Sequence, residues 1–350
     1  MKYFILFALS FGMVYLITFP IIKLSTKWKF YDIPDERKIH QNPTPLMGGI
    51  AIYIGFLVGM LCIIIFFQNL YHLPKINIIS DKVIGFIIAS TMIIILGLID
   101  DKFGMNPIVK FSGQILVSLI FLISGKYYTL LGPIYISLPV FLFWMVGLIN
   151  ALNFLDNMDG ISSGIGIILG FGCYGIGLLS GNYLLSALAV IFAGACSGFL
   201  IHNFNPAKIF LGDAGSMFIG YILSSFGIIM LEKLPKLLYP LPVLLLSYAI
   251  FDISLVSFTR QRDGRKVMQG GKDHSTHRIG TAVGCPKITA AVVYLVNTII
   301  VLVTILVYQV NDIYLLLITI GIFALGFLFF GNQLDQIPIK LSQNQLHKKK

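Results

Sequence analysis

A chain of 350 residues in which 57% are hydrophobic and only 11% are charged carries more apolar surface than a soluble fold can hide, since ordinary soluble domains hold about 45–50% apolar and about 25% charged residues. The composition excludes a soluble enzyme, a disordered chain and a membrane protein with a large domain outside the bilayer. Continuous rather than alternating apolar runs also exclude a β-barrel, and the net charge of +10 matters more by its placement than by its size.

A helical span needs about 20 apolar residues. Apolar runs fall at about 3–22, 47–67, 83–99, 107–125, 134–152, 161–180, 183–201, 214–231, 237–259, 288–310 and 313–331. The first, MKYFILFALSFGMVYLITFPII, is too long for a signal peptide and lacks a small-residue cleavage site, so it reads as a span. The expected fold is therefore an all-α polytopic integral membrane protein with about 11 transmembrane helices. Lysine and arginine set its orientation. With the N-terminus outside, nineteen of the 25 fall on inside connections. The C-terminus is then cytoplasmic, and 1–331 forms one transmembrane domain with a basic cytoplasmic tail at 332–350. Cytoplasmic loops are expected at 23–46, 100–106, 153–160, 202–213 and 260–287. Most carboxylates share that side, and acidic residues at a membrane edge tend to be functional.

Five segments on these loops carry chemistry. YDIPDERKIHQNPTPLMGGIA, 31–51, is a proline-stiffened loop in which Arg37 and Lys38 can touch a phosphate. LGLIDDKFGMNP, 96–107, ends a span with Asp100 and Asp101; adjacent carboxylates repel unless a cation or a proton joins them. INALNFLDNMDG, 149–160, repeats Asn150, Asn153, Asp156 and Asp159 at every third residue, a polar ridge of oxygen ligands suited to Mg²⁺. FLGDAGSMFIG, 210–220, puts Asp213 at a helix start, where it is either a cap or a third acidic site. The basic loop 259–280 gathers Arg260, Arg262, Arg265, Lys266, Lys272, His274, His277 and Arg278. A zinc site on its two histidines lacks further ligands nearby, and a cradle for a diphosphate fits better. Carboxylates for a divalent cation, cations for phosphates and lipid alongside suit phosphoryl transfer to a lipid.

These five segments, in this order from about Asp32 to Arg278, resemble the polyprenyl-phosphate N-acetylhexosamine-1-phosphate transferases of glycosyltransferase family 4. The resemblance implies transfer of a sugar 1-phosphate, most simply N-acetylglucosamine 1-phosphate, from a UDP-sugar to undecaprenyl phosphate or a similar polyprenyl phosphate. UMP leaves, on the cytoplasmic face of the plasma membrane, as the first membrane step of a wall or surface glycan. It implies that Asn153 and Asp213 hold Mg²⁺, with Mn²⁺ as a substitute. Asp100 is then the base, Asp101 supports metal or base, and Asp156 and Asp159 orient nucleotide and metal waters. Lys38, His274, His277 and Arg278 grip phosphate or sugar. Membrane lipid and a second copy in a homodimer are implied as partners, and nucleic acid is not. Two departures bear on the sugar: Asp156-Asn157-Met158-Asp159-Gly160 stands where the muramoyl enzymes have DGxDG, and the histidine loop lacks a run of adjacent histidines. Both argue against the muramoyl-pentapeptide donor. UDP-GalNAc and UDP-MurNAc-pentapeptide remain alternative donors. A transporter or flippase is the alternative class, against which stand the lack of related halves and of mid-span charges other than Asp252.

Overall fold

The computed structural model describes residues 2–32, 43–63, 80–266 and 271–337. Its helices are α1 Lys2–Lys27, α2 Gly48–Cys62, α3 Asp81–Phe103, α4 Pro107–Ser124, α5 Ile134–Leu155, α6 Ile161–Leu179 and α7 Tyr183–Asn203. They continue with α8 Gly212–Leu231, α9 Leu241–Leu245, α10 Ser247–Arg262, α11 Ser275–Val283, α12 Pro286–Val310 and α13 Ile313–Asp335. Two short strands, β1 Tyr31–Asp32 and β2 Thr44–Pro45, pair antiparallel with Tyr31 opposite Pro45.

Local signals set the boundaries. Asn106 caps α4 by accepting from the Ile108 N–H at 2.9 Å, and Pro107 follows at the first helical position. Asn182 and Asp312 cap α7 and α13 in the same way. Asn311, in the left-handed region, ends α12.

Every expected apolar run is matched by helix, but not every run is a complete straight span. Among the described residues nine helices are long and apolar enough to cross a bilayer. The expected single span at 237–259 is corrected: it is broken, with the segments Lys236–Leu245 and Ser247–Arg262 meeting at 61°. Leu246, at φ −100° and ψ 14°, lies outside the helical region at the break, and Pro240 and Pro242 stiffen the segment before it. The run at 47–67 is helical over the 15 residues of α2, about 22 Å at ~1.5 Å per residue; its continuation lies outside the described residues. The loop expected at 260–287 contains α11.

The bundle is organised around α8, which is buried along its length except at Asp213 and packs against α2, α3, α5 and α6. Small residues allow that approach. A Cβ on Gly97 of α3 would lie 2.2 Å from the Ala214 Cα, and one on Gly49 of α2 would lie 2.3 Å from the Gly215 nitrogen. At the rim, α13 exposes Leu317, Ile318, Ile322, Leu325 and Leu328, the inverse of a soluble helix and natural in lipid.

The connections expected on the cytoplasmic side meet at one end of the bundle. Phe210 N–H donates to the Pro45 carbonyl at 2.8 Å, and Gly48 N–H to the Phe210 carbonyl at 3.0 Å. Asn205 Nδ2 donates to Asp159 at 2.9 Å, and the Thr276 hydroxyl to Asn157 Oδ1 at 2.6 Å. At the opposite end, Lys82 pairs with Glu232 at 2.7 Å.

Candidate active site

At the polar end, α3, α4, α5 and α8 converge on a cluster of charged groups. Asp101, near the end of α3, accepts from the backbone N–H groups of Asp213 at 2.7 Å and Ala214 at 3.1 Å. These are orphan donors at the start of α8, so Asp101 caps a helix more than a hundred residues away in sequence. Gly212 makes the cap possible: its φ is +74°, and a Cβ there would lie 2.6 Å from the Asp101 Oδ2.

Asp100 accepts from the Met105 N–H at 2.7 Å and pairs with the Lys110 ammonium at 2.7 Å. Lys110, one turn into α4, also reaches Asp213 Oδ2 and Asn153 Oδ1, each at 3.2 Å. Asn153 on α5 donates to Asp213 Oδ1 at 2.5 Å and to the Ser216 hydroxyl at 2.8 Å. Beneath this layer, Gln114 and Asn150 exchange amide hydrogen bonds at 3.3 and 2.6 Å, which fixes α4 against α5 one turn from Lys110 and Asn153.

Asp156 follows α5 as its cap residue. Burial, then the charge of Asp213, pushes its carboxyl up to about 8. Crowded carboxylates with this cost attract a cation, and the oxygens of Asn153, Asp156 and Asp213 are the hard donors that Mg²⁺ takes alongside waters and substrate phosphate. Among the described residues no three His, Cys, Asp or Glu side chains form a ready metal shell. A site for Mg²⁺ here is one that uses the Asn153 amide oxygen and substrate phosphates as well as carboxylates.

Asp159 faces the neighbouring loop, accepting from Asn205 Nδ2 at 2.9 Å and Ala207 N–H at 3.1 Å. The histidine segment sits beside the Asn153–Gly160 turn. The His274 ring lies edge-on to Phe154 with centroids 5.9 Å apart, and 5.9 Å from the His277 ring. Burial, followed by the neighbouring His274, pushes His277 down to about 4, so it is a neutral hydrogen-bonding group at physiological pH rather than a cation. Arg278 points elsewhere: its guanidinium donates to the Asp273 carbonyl at 3.0 Å and the Leu334 carbonyl at 2.9 Å, and pairs with Asp335 at 3.2 Å. Asp273 is clamped by Arg260 at 2.7 and 2.9 Å and by Arg265 at 2.7 Å. Burial alone would raise its carboxyl, but Arg260 prevails and holds it at about 2. Arg262 pairs with Asp263 and Asp335, so all four arginines of the basic loop are committed to protein partners. Lys38 lies outside the described residues.

The structure brings Asp100, Asp101, Asn153 and Asp213 into direct contact through shared partners, with Asp156 alongside. It adds Lys110 and Ser216, which the sequence reading did not single out as site residues. The signal for Lys110 was present: a lysine one turn inside an apolar helix is costly without a partner. One cavity lies away from this cluster. It is an apolar groove of about 610 Å³ between α10 and α13, lined by Phe251, Leu255, Phe323 and Phe327 with Arg262 and Asp335 at its edge, and it includes none of Asp100, Lys110, Asn153 or Asp213.

The glycosyl transferase family 4 model matches residues 83–231, which include Asp100 through Asp213 and stop before the histidine segment. The chain is 30% identical over 294 residues to the Bacillus subtilis protein named "Probable undecaprenyl-phosphate N-acetylglucosaminyl 1-phosphate transferase", covering 81% of this chain and 78% of that one. It is 32% identical over 296 residues to the decaprenyl-phosphate N-acetylglucosaminephosphotransferase of Mycobacterium tuberculosis, covering 76% and 72%. It is 30% identical over 213 residues to a phospho-N-acetylmuramoyl-pentapeptide-transferase of Staphylococcus carnosus, covering 56% and 65%.

Proposed function

The chain belongs to glycosyl transferase family 4, and from that premise we propose that it transfers N-acetylglucosamine 1-phosphate from UDP-N-acetylglucosamine to a polyprenyl phosphate, releasing UMP. Undecaprenyl phosphate is the proposed acceptor, as in the name of the Bacillus subtilis relative. The observation that carries the reading is the convergence of Asp100, Lys110, Asn153 and Asp213 at the polar end of an apolar bundle. A phosphorylated lipid and a soluble nucleotide sugar can meet at such a place.

An oxygen of the lipid phosphate attacks the β-phosphorus of the donor. The new P–O bond forms as the bond from that phosphorus to the bridging oxygen breaks, and the electron pair leaves with UMP. Asp100 takes the proton of the lipid phosphate where it carries one. Lys110 neutralises charge that builds on the transferred phosphoryl oxygens. Asn153, Asp156 and Asp213 would hold Mg²⁺, which supplies charge neutralisation on the donor diphosphate. Asp101 sets the start of α8 and so the direction of Asp213, and His274 and His277 offer hydrogen bonds to phosphate or sugar. The polar end faces the cytoplasm in this reading, the membrane is the plasma membrane, and a homodimer is the proposed assembly.

The test is UMP release by purified protein in detergent with undecaprenyl phosphate, Mg²⁺ and, in turn, UDP-GlcNAc, UDP-GalNAc and UDP-MurNAc-pentapeptide. The reading expects UMP with UDP-GlcNAc only when lipid and Mg²⁺ are both present, and none from Asp100→Asn or Asp213→Asn. UMP with another donor alone corrects the sugar. No UMP from a folded protein with any donor defeats the transferase reading.

A further inference from the structure

Asp252 is a carboxylate inside a span, on α10, and is 0% exposed. Such a group is costly unless its acceptor positions are filled. The histidine segment fills them. Asp252 Oδ1 accepts from the Ser275 N–H at 2.8 Å and the Ser275 hydroxyl at 2.6 Å, and Oδ2 accepts from His274 Nδ1 at 2.8 Å. Ser275 opens α11, so its N–H is one of that helix's orphan donors. The Tyr248 hydroxyl, one turn back on α10, meets the Ser275 hydroxyl at 2.9 Å.

Anchoring α11 accounts for the two Ser275 bonds. It gives no reason for the third. An ionised carboxylate only accepts, so Nδ1 of His274 carries the proton and Nε2 is the atom the ring offers on its other side. That ring stands against Phe154, next in sequence to Asn153, and the Thr276–Asn157 bond at 2.6 Å closes the segment onto the same turn. We propose that Asp252 is a positioning residue that holds the His274 ring in one direction through Nδ1–H, so that Nε2–H of the doubly protonated ring donates to the diphosphate of the nucleotide donor. The proposal rests on the transferase reading above.

The experiment is UMP release with each substrate varied separately, on the parent, Asp252→Asn, Asp252→Glu, His274→Ala and the Asp252→Asn/His274→Ala double variant, each checked for a single detergent-solubilised species. Asp252→Asn is expected to lower kcat/KM for the UDP-sugar roughly ten- to a hundredfold, the usual effect of losing a partner that orients a functional histidine. KM for the polyprenyl phosphate stays unchanged, Asp252→Glu recovers part of the loss, and adding Asp252→Asn to His274→Ala costs nothing further. Should Asp252→Asn fail to fold, Asp252→Glu alone and on the His274→Ala background gives the same comparison. Additive losses, equal effects on both substrates, or full activity in Asp252→Asn overturn the positioning role while leaving the transferase reading intact. A folded parent that releases UMP from no donor overturns both.

Discussion

At the scale of the residue, Lys110 holds the cluster together. Its ammonium lies between Asp100 and Asp213 and touches Asn153, with its side chain 17% exposed. If it neutralises charge in the reaction, Lys110→Met lowers turnover by about 10²–10³, the usual effect of removing one preorganised electrostatic donor. Lys110→Arg restores part of it, because charge returns but the compact ammonium geometry does not. A Lys110→Met enzyme with parental UMP release excludes that role. Asp273 makes a separate prediction about pH. Its folded-state carboxyl is held at about 2, below the unfolded value of about 3.9. The stability it adds, on the order of 2–3 kcal/mol, is therefore fully present above about pH 5, falls as pH drops through 3, and is gone once pH falls well below 2. Thermal melts of the parent and Asp273→Asn in detergent test this: the gap between them should shrink as pH falls from 6 to 3. A gap constant over that range refutes the assignment.

At the scale of the element, the site depends on how closely α3 and α8 approach. Gly97 touches the α8 backbone at Ala214, and Asp101, one helical turn further along α3, caps that same helix start. A side chain at 97 must push the helices apart and draw Asp101 off its donors. Gly97→Val is expected to lower the melting temperature and UMP release together, and Gly97→Ala to do so more mildly, since even one Cβ meets backbone there. Wild-type UMP release from Gly97→Val would show that the cap does not place Asp213. The α4–α5 contact works similarly through the Gln114–Asn150 amide pair. The three-residue spacing of Asn150, Asn153, Asp156 and Asp159 predicts one polar ridge, but α5 ends at Leu155 and the structure divides the labour: Asn150 registers two helices, Asn153 faces the charged cluster, and Asp159 turns to the Asn205 loop.

At the scale of the whole molecule, the two ends of the bundle are chemically different, and the distribution of lysine and arginine predicts a side for each. Lys208, in the loop between α7 and α8, is exposed at the polar end, and Lys233, after α8, is exposed at the other. In a cysteine-free background, Lys233→Cys is expected to react with a membrane-impermeant maleimide in intact cells, and Lys208→Cys only after the membrane is opened. The reverse pattern would invert the orientation and put the site on the outer face.

The sequence by itself determined the solvent, the helices and the end of the molecule where polar and charged groups gather. Apolar run length, caps such as Asn106-Pro107 and Asp312, and the lysine and arginine bias are local properties that need no knowledge of neighbours. It also predicted that Asp100, Asp101, Asn153, Asp156 and Asp213 share one end of the bundle, because alternate connections of a serpentine bundle share a side. Only the tertiary structure decided what each group does there. Asp101 caps α8, Lys110 lies among oxygens from three other helices, Arg278 turns to the end of α13, and Asp252 meets His274 at Nδ1. Each depends on the relative placement of helices distant in sequence, which spacing along one chain does not encode. The break at Leu246 belongs with these: the apolar pattern runs through it unchanged, and what sets the bend is backbone geometry and packing rather than hydrophobicity.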